Sequence, residues 1–290
     1  MPSRLTLAKS DIVALFDGYA NPVFKHAQIG RILDEHRGGW KLPQSLGLTG
    51  FIKYLIENSK LRRVQVRLSH RPETLYVWGH VSAFCMASSL KTNGYLSHYT
   101  AMQVHELTDQ SPEVIYVNHE QRPQPRPVGP LTQEAVDRAF RNKQRVSKNV
   151  AAMGRRKVCV VNGKNTGRYG VEEMQDQDGH PVQVTTLERT LVDIVVRPIY
   201  SGGVAEVLEA YRRAADRVQV NKLLATLRKM DFVYPYHQAI GFYMDKSGAY
   251  PEKRLALLEA ERTDIDFYLT YAMGATEYSE RWGINFPSGL

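Results

Sequence analysis

The sequence predicts a mixed α+β fold, and three features of its patterning support that prediction. Apolar residues recur at helical spacing in the first 60 residues and again in several segments after residue 80. Near residue 61 the spacing changes from 3.6 to 2, which is typical of a strand. A chain of 290 residues, of which 43% are hydrophobic, is long enough for about two domains with packed cores.

Three successive helices are expected before residue 60. The first places Ile12, Leu15 and Phe16 on one face, at the spacing of an amphipathic helix. The second covers about residues 26–36 and ends before two consecutive glycines, which stop helices. The third begins near Gly47, and its apolar stripe consists of Leu48, Phe51, Ile52, Leu55 and Ile56.

A two-stranded hairpin follows these helices. Val64, Val66 and Leu68 alternate with polar residues, and the chain returns over residues 74–78 as a second strand. Three short helices followed by a hairpin is the element order of a winged helix-turn-helix. We therefore predict a winged helix-turn-helix domain over residues 1–80 and a larger mixed α/β domain over residues 81–290.

A winged helix predicts DNA binding for a physical reason. A helix about 10–12 Å across fits the major groove of DNA, and cations at the hairpin tip reach phosphates or the minor groove. The candidate DNA-contacting residues of the third helix, the segment before it and the hairpin are Gln44, Ser45, Thr49, Lys53, Arg63, Arg67, His70 and Arg71.

The distribution of charge supports contact with a polyanion. The formal net charge is +8, with 12 Lys/Arg against 6 Asp/Glu in residues 1–80 and 10 against 2 in residues 131–170. Residues 131–157 are predicted to begin as a helix and then to become strongly basic. The second predicted basic patch comprises Arg138, Arg141, Lys143, Arg145, Lys148, Arg155, Arg156 and Lys157.

The later part of the chain contains further local signals of secondary structure and packing. Thr185 and Glu188 have the spacing of a capping box ahead of a helix over residues 187–196. The prolines between residues 122 and 130 predict a stiff, extended segment. Aromatic residues near residues 234–243 are interpreted as core, and the aromatic C-terminal segment is expected to pack rather than to be disordered.

No catalytic or metal-binding pattern stands out. The only cysteines, Cys85 and Cys159, form neither a disulfide framework nor a zinc-ligand cluster. His98 and His105 are interpreted as structural because no third ligand lies near them. No Gly-x-Ser-x-Gly motif is present, and carboxylates such as Glu172, Glu173 and Asp193 lack the spacing of a metal-dependent nuclease. We therefore expect a non-enzymatic protein without a catalytic residue, metal or cofactor. We also expect a cytoplasmic protein, because no apolar stretch reaches the ~18 residues of a membrane span and no signal peptide is recognisable.

Four motifs, in this order, carry a resemblance to a known family. They are Gly38-Gly39-Trp40, the segment from Gly94 to Met102, the segment from Thr185 to Asp193, and the segment from Tyr236 to Phe242. With these motifs the chain resembles the AbiEi family of antitoxins of type IV toxin–antitoxin and abortive-infection systems. The resemblance covers nearly the whole chain, and the order and combination of the motifs make it specific.

The resemblance implies two tasks. The N-terminal winged helix would bind double-stranded operator DNA and repress its own operon, and the C-terminal domain would counteract a companion nucleotidyltransferase toxin without requiring a stable complex. Two other interpretations stay open at this point. One is a transcription factor whose C-terminal domain senses a ligand or dimerises, and the other is a nuclease-like protein that acts on DNA.

Overall fold

A computed structural model describes residues 3–69, 71–125 and 129–290. The first part of the chain contains α1 (Arg4–Leu7), α2 (Lys9–Asp17), β1 (Val23–Phe24), α3 (His26–His36), α4 (Leu48–Asn58), β2 (Leu61–Arg67) and β3 (Pro72–Trp78). The predicted helices and hairpin occur in the predicted order. The short strand β1 was not predicted; it pairs with β3, so that the sheet order is β1-β3-β2.

The β2–β3 hairpin lies between two hydrophobic cores. On one face, Leu61, Tyr76 and Trp78 pack with the apolar stripes of α2, α3 and α4. On the other face, four side chains join a core that continues past residue 80 into the rest of the chain; they are Val66, Leu68, Leu75 and Val77. Residues 1–80 alone would therefore expose one whole apolar face of the hairpin.

A six-stranded mixed sheet forms the centre of the remaining chain. Its strands are β4 (Tyr95–Leu96), β5 (Val114–Asn118), β6 (Val150–Met153), β7 (Arg156–Val161), β8 (Val171–Gln175) and β9 (Pro181–Thr185). The order is β6-β7-β5-β4-β9-β8, with parallel pairs β5–β7 and β4–β9. Two short helices, α5 (Ala83–Ser88) and α6 (His98–Val104), accompany it. The mixed α+β class predicted from the sequence is confirmed.

Helices dominate the C-terminal region, together with a small three-stranded sheet. The elements are α7 (Gln133–Arg141), α8 (Leu187–Val196), α9 (Val204–Ala214), α10 (Val220–Met230), α11 (Tyr236–Ser247), α12 (Glu252–Glu259), β10 (Phe267–Tyr268), β11 (Thr276–Ser279) and β12 (Ile284–Pro287). Within the described part of the chain, no helix is long and apolar enough to cross a membrane.

The aromatic C-terminal segment is packed, as the sequence indicated. Trp282 and Phe286 belong to the largest core, together with Tyr236 and Phe242 of α11. The ring of Trp282 lies so close to Gly241 that a Cβ there would be 2.1 Å from a ring carbon. A glycine is therefore required on this face of α11.

One local prediction needs correction. Helix α8 is capped by Thr186, whose hydroxyl accepts from the Arg189 amide at 3.3 Å, rather than by Thr185. Thr185 is the last residue of β9, and its side chain bonds that of Thr190 at 2.7 Å. The basic segment 131–157 begins as a helix, as predicted; the helix ends at residue 141, and residues 150–153 pair with β7 as a strand.

Candidate nucleic-acid interface

A shallow groove of about 280 Å³ lies between α4 and the hairpin. It brings together Thr49 and Lys53 of α4 with Arg63 of β2, and His26 and Tyr76 form part of its wall. The pairing of Arg63 with Tyr76 across the hairpin turns this arginine toward the face that carries α4. Three residues predicted separately from helical and strand periodicity thus share one surface.

The cations of this groove are weakly neutralised. Lys53 Nζ lies 3.9 Å from Glu57 one turn along α4, and the lysine side chain is 74% exposed, so that solvent screens the pair. Within residues 3–69, 71–125 and 129–290, no carboxylate forms an ion pair with Arg63 or Arg67. Both arginines are exposed on the same face of β2. They are available to an anionic partner.

The outer end of the hairpin carries Arg71, which is 75% exposed. Its Nε lies 3.3 Å from Glu73, a mostly buried carboxylate that also pairs with Lys91 at 2.7 Å and with Lys25 at 3.3 Å. Burial opposes ionisation of Glu73, but the hydrogen bond from Lys91 and the charge of Lys25 outweigh it and lower its pKa. Because two lysines already neutralise Glu73, Arg71 remains an outward cation. The predicted contact His70 lies outside the described residues.

Gln44 and Ser45 are exposed but lie in the connection between α3 and α4, ahead of the first helical turn. The guanidinium of Arg37 fixes this connection by donating to the carbonyl oxygens of Pro43 at 2.8 Å and Leu46 at 3.0 Å. Sequence reasoning overlooked Arg37. Its place directly after the last residue of α3 and before a loop was the available signal, since a long basic side chain there can reach loop carbonyls.

The second predicted basic patch is distributed over several elements. Arg138 and Arg141 are on α7, whereas Arg155, Arg156 and Lys157 lie at the β6–β7 turn and the start of β7, and Lys143 and Arg145 lie in the intervening loop. Arg156 covers the ring of Phe84 at 5.3 Å, and Lys157 lies 3.6 Å from Glu113.

Lys148 is the member of this patch that the hairpin tip contacts directly. The Ser69 hydroxyl donates to its carbonyl oxygen at 2.7 Å, and the Ser69 amide donates to Asn149 Oδ1 at 3.1 Å. These two bonds hold the tip of the hairpin against the segment that leads into β6. The backbone of Lys148 thereby lies beside the hairpin tip, and its side chain is exposed.

A buried polar cluster, which sequence reasoning did not predict, surrounds Arg189 of α8. Its Nε donates to Asp193 Oδ1 at 2.9 Å, and a terminal nitrogen donates to Thr166 Oγ1 at 3.0 Å and to the Tyr169 carbonyl at 2.7 Å. The side chains of Arg189 and Asp193 are 3% and 8% exposed. Their spacing of four residues on one helix was the available signal.

Tyr95 and Glu120 extend the cluster toward the sheet. Glu120 accepts from the Tyr95 hydroxyl at 2.9 Å and from the amides of Thr166 at 3.0 Å and Arg168 at 3.1 Å. Burial raises the pKa of Tyr95, so that its hydroxyl keeps its proton and donates. Because nearly every group is satisfied by another, this cluster ties the loop around residues 166–169 to α8 and the sheet.

The histidines at the two ends of α6 differ in their partners: His98 is its first residue and His105 directly follows its last. His105 Nε2 lies 2.6 Å from the Thr185 carbonyl oxygen, which agrees with a structural role. His98 Nδ1 bonds the Ser97 hydroxyl at 2.8 Å, and burial together with the charges of Arg197 and Arg189 lowers its pKa to about 3. Among the described residues, no group of three or more His, Cys, Asp or Glu side chains is placed to hold a metal ion.

Comparisons with known proteins bear on the fold. No protein-family model and no curated protein matches the chain. The structure is similar to the crystal structure of the RV2827C protein from Mycobacterium tuberculosis, with 13% sequence identity and a TM-score of 0.54. The match covers 99% of this chain and 92% of the other. At this identity the likeness shows that the two chains share a fold over nearly their whole length.

Proposed function

We propose that this protein is a transcriptional regulator that binds double-stranded DNA, and that its first 80 residues act as a winged helix-turn-helix. The observation that carries the proposal is the groove in which Thr49 and Lys53 of α4 meet Arg63 of β2. Exposed polar side chains on a helix face, next to arginines without carboxylate partners, suit a groove of DNA lined by phosphates.

In this proposal, α4 enters the major groove and presents Thr49 and Lys53 to base edges. Arg63, Arg67 and Arg71 contact phosphates on either side, and Lys148 extends the cationic surface beyond the hairpin tip. Phosphate contacts set affinity and register, whereas the two side chains of α4 select sequence.

The resemblance to AbiEi antitoxins supports a more specific role. The protein would be a cytoplasmic antitoxin and autorepressor of its own operon, part of a phage-defence system, which acts by binding rather than by catalysis. Its C-terminal region, from residue 81 onward, would counteract a nucleotidyltransferase toxin encoded next to it.

Fluorescence anisotropy with the full chain tests DNA binding. A labelled duplex from upstream of the protein's own operon and a scrambled duplex of equal length are titrated at several salt concentrations. We expect tighter binding to the upstream duplex and a steep loss of affinity with salt for both duplexes. Equal and weak affinity for both would contradict a sequence-specific regulator. Arg228→Ala on α10 is the matched control, because Arg228 is exposed and lies on none of the proposed surface.

Co-expression tests the antitoxin role separately. The neighbouring gene is induced with and without this chain, and growth is followed. Rescue by a variant that has lost DNA binding would assign protection to the C-terminal region. Absence of a toxic neighbour would favour the alternative of a regulator that senses a ligand, for which a cleft in the C-terminal region provides a specific reason.

A further inference from the structure

An open cleft of about 690 Å³ lies where the six-stranded sheet meets the C-terminal helices. Its walls come from the loops around residues 121–125 and 164–166, from the end of α8 and from the segment after α10. A smaller cavity of about 70 Å³ adjoins it. The two spaces share Lys164, Val196, Arg197 and Phe232 as lining residues, so the small cavity is the deep end of the cleft.

Arg197 supplies the cleft with a cation at the junction of the two spaces. Its guanidinium lies 3.5 Å from the carbonyl oxygen of Arg145 and 6.0 Å from the ring centre of Tyr200. In the part of the chain that the structure describes, Arg197 forms no ion pair with a carboxylate. A half-buried guanidinium without a counter-charge is costly, and a ligand anion would relieve that cost.

Asp193 gives the deep end an unpartnered acceptor. Its Oδ1 is bonded to Arg189, but no donor among the described residues reaches its buried Oδ2. Asp193 lines the small cavity together with His98 and Asn118. His98 has a left-handed backbone with φ of +53°, a strained conformation for a residue with a side chain. A buried carboxylate oxygen without a donor, in a residue that lines a cavity, is the group that a hydroxyl or N–H donor from a ligand would satisfy.

Part of the wall of the larger space is aromatic. Phe232, Tyr234, Tyr236 and Tyr271 all line it, and none of them lines the proposed DNA surface. Planar rings of this kind stack on nucleobases with little regard to sequence. The combined lining therefore offers a cation, a hydrogen-bond acceptor and a stacking surface.

We propose that this cleft binds a free nucleotide. The phosphate of the nucleotide pairs with Arg197, a sugar hydroxyl donates a hydrogen bond to Asp193 Oδ2, and the base stacks against the tyrosines. The volume of the larger space falls in the range of ~300–1,000 Å³ that small-molecule sites occupy. The narrow deep end, of about 70 Å³, favours a single nucleotide over a strand that must pass through. This site is separate from the proposed DNA surface, so the two proposals fail independently.

Isothermal titration calorimetry with the full chain tests the proposal, with AMP, GMP, CMP, UMP and inorganic phosphate as probes. We expect at least one nucleotide to bind at least ten-fold more tightly than phosphate. Arg197→Gln should weaken binding of that nucleotide at least ten-fold, while the circular dichroism of the variant stays unchanged and its melting temperature does not fall. Arg228→Gln, an exposed arginine outside the cleft, should bind as the parent does.

The sugar contact is tested through the ligand, because Asp193→Asn would disturb the pair with Arg189 and endanger folding. The 2′- and 3′-deoxy forms of the best nucleotide are compared with the parent ligand. At least one of them should bind several-fold more weakly. If both deoxy forms bind as tightly as the parent ligand, Asp193 does not contact the sugar. No binding by any nucleotide at millimolar concentration, phosphate binding as tightly as the nucleotide, or unchanged binding by Arg197→Gln would each overturn the proposal.

Discussion

The arginines of the hairpin and Arg189 of α8 carry the same guanidinium in opposite surroundings. Arg63 and Arg67 are exposed on β2 and pair with no carboxylate in the described chain. Arg189 is buried and donates to Asp193, Thr166 and the Tyr169 carbonyl. Surroundings, rather than residue type, decide whether an arginine is available to a partner or holds the fold together.

The contrast follows from the cost of moving a charge out of water. A guanidinium at the surface keeps its hydration and loses little when it exchanges water for a phosphate. A buried one must have its donors satisfied within the protein, and removal of the cation leaves the opposing carboxylate buried without a partner. Four predictions test this difference between exposed and buried charged groups.

The largest effect is expected for Arg189→Met. The change leaves Asp193 and part of the Glu120 cluster without their cation, which should lower the free energy of unfolding by about 3–5 kcal/mol. Urea denaturation of the full chain measures it as a fall in midpoint at constant slope. The matched control, Arg67→Met, should stay within about 0.5 kcal/mol of the parent. A loss below about 1 kcal/mol for Arg189→Met would contradict the structural role assigned to this arginine.

A pH dependence should come from His98, which is buried next to Arg189 and Arg197. Its folded-state pKa of about 3 lies below the ordinary value of 6.5, so between these values the unfolded chain binds a proton that the folded chain does not. Stability from this residue is therefore fully present above pH 6.5 and falls as the pH is lowered, by about 2 kcal/mol between pH 7 and pH 5.

Urea titrations at pH 7 and pH 5 on the parent and on His98→Asn check this dependence. Asparagine tolerates a left-handed backbone, so the variant is expected to fold. Part of the pH dependence should remain, because burial also lowers the pKa of His105 and His237. His26→Asn, a change at an exposed position on α3, is the control. An unaltered pH dependence in His98→Asn would argue against this account.

Thr49→Ala and Lys53→Ala should change which DNA sequence is preferred. Each lost base contact is expected to cost about 1–3 kcal/mol against the preferred duplex and less against a scrambled one. Anisotropy with both duplexes separates the two effects. If affinity falls equally for every duplex, these side chains contact only the DNA backbone.

The smallest effect at physiological salt is expected for Arg67→Ala combined with Arg71→Ala. Binding should weaken for all sequences, and the slope of log affinity against log salt should decrease by about one unit per lost phosphate contact. Unchanged affinity and slope would show that the hairpin tip lies outside the DNA interface. Arg228→Ala on α10, outside both basic segments, shows whether the loss of an exposed arginine elsewhere has the same effect.

Periodicity was sufficient to predict the helices α2, α3 and α4 and the two strands of the hairpin. Each has an apolar stripe at its own repeat, and its ends carry local signals such as Gly38 and Gly39. Strands β8 and β9 were not predicted, because residues such as Glu172 and Glu173 give β8 no clear apolar alternation. Strand β9 forms because it pairs with the distant β4, and β8 is an edge strand that pairs with β9.

The two candidate sites also differ in how far the sequence predicted them. Thr49, Lys53 and Arg63 were recognised from the exposed faces of single elements, and their joint groove needed only the pairing of β2 with β3. Asp193 was recognised only as the end of a family motif, and its spacing from other carboxylates indicated no chemistry. Its Oδ2 without a donor and the nearby Arg197 form a candidate site only because α8 and the segments near residues 121, 164 and 232 surround one space.

The sequence by itself determined the mixed fold class, the order of the first elements and the basic character of the two charged segments, because local spacing and composition encode these properties. Tertiary structure alone decided that the hairpin has a face in each of two cores, that Lys148 lies beside its tip, and that Arg189 is buried while Arg67 is exposed. The physical reason is that burial and charge pairing depend on distant segments meeting, such as Ser69 with Asn149. No local pattern specifies such a meeting.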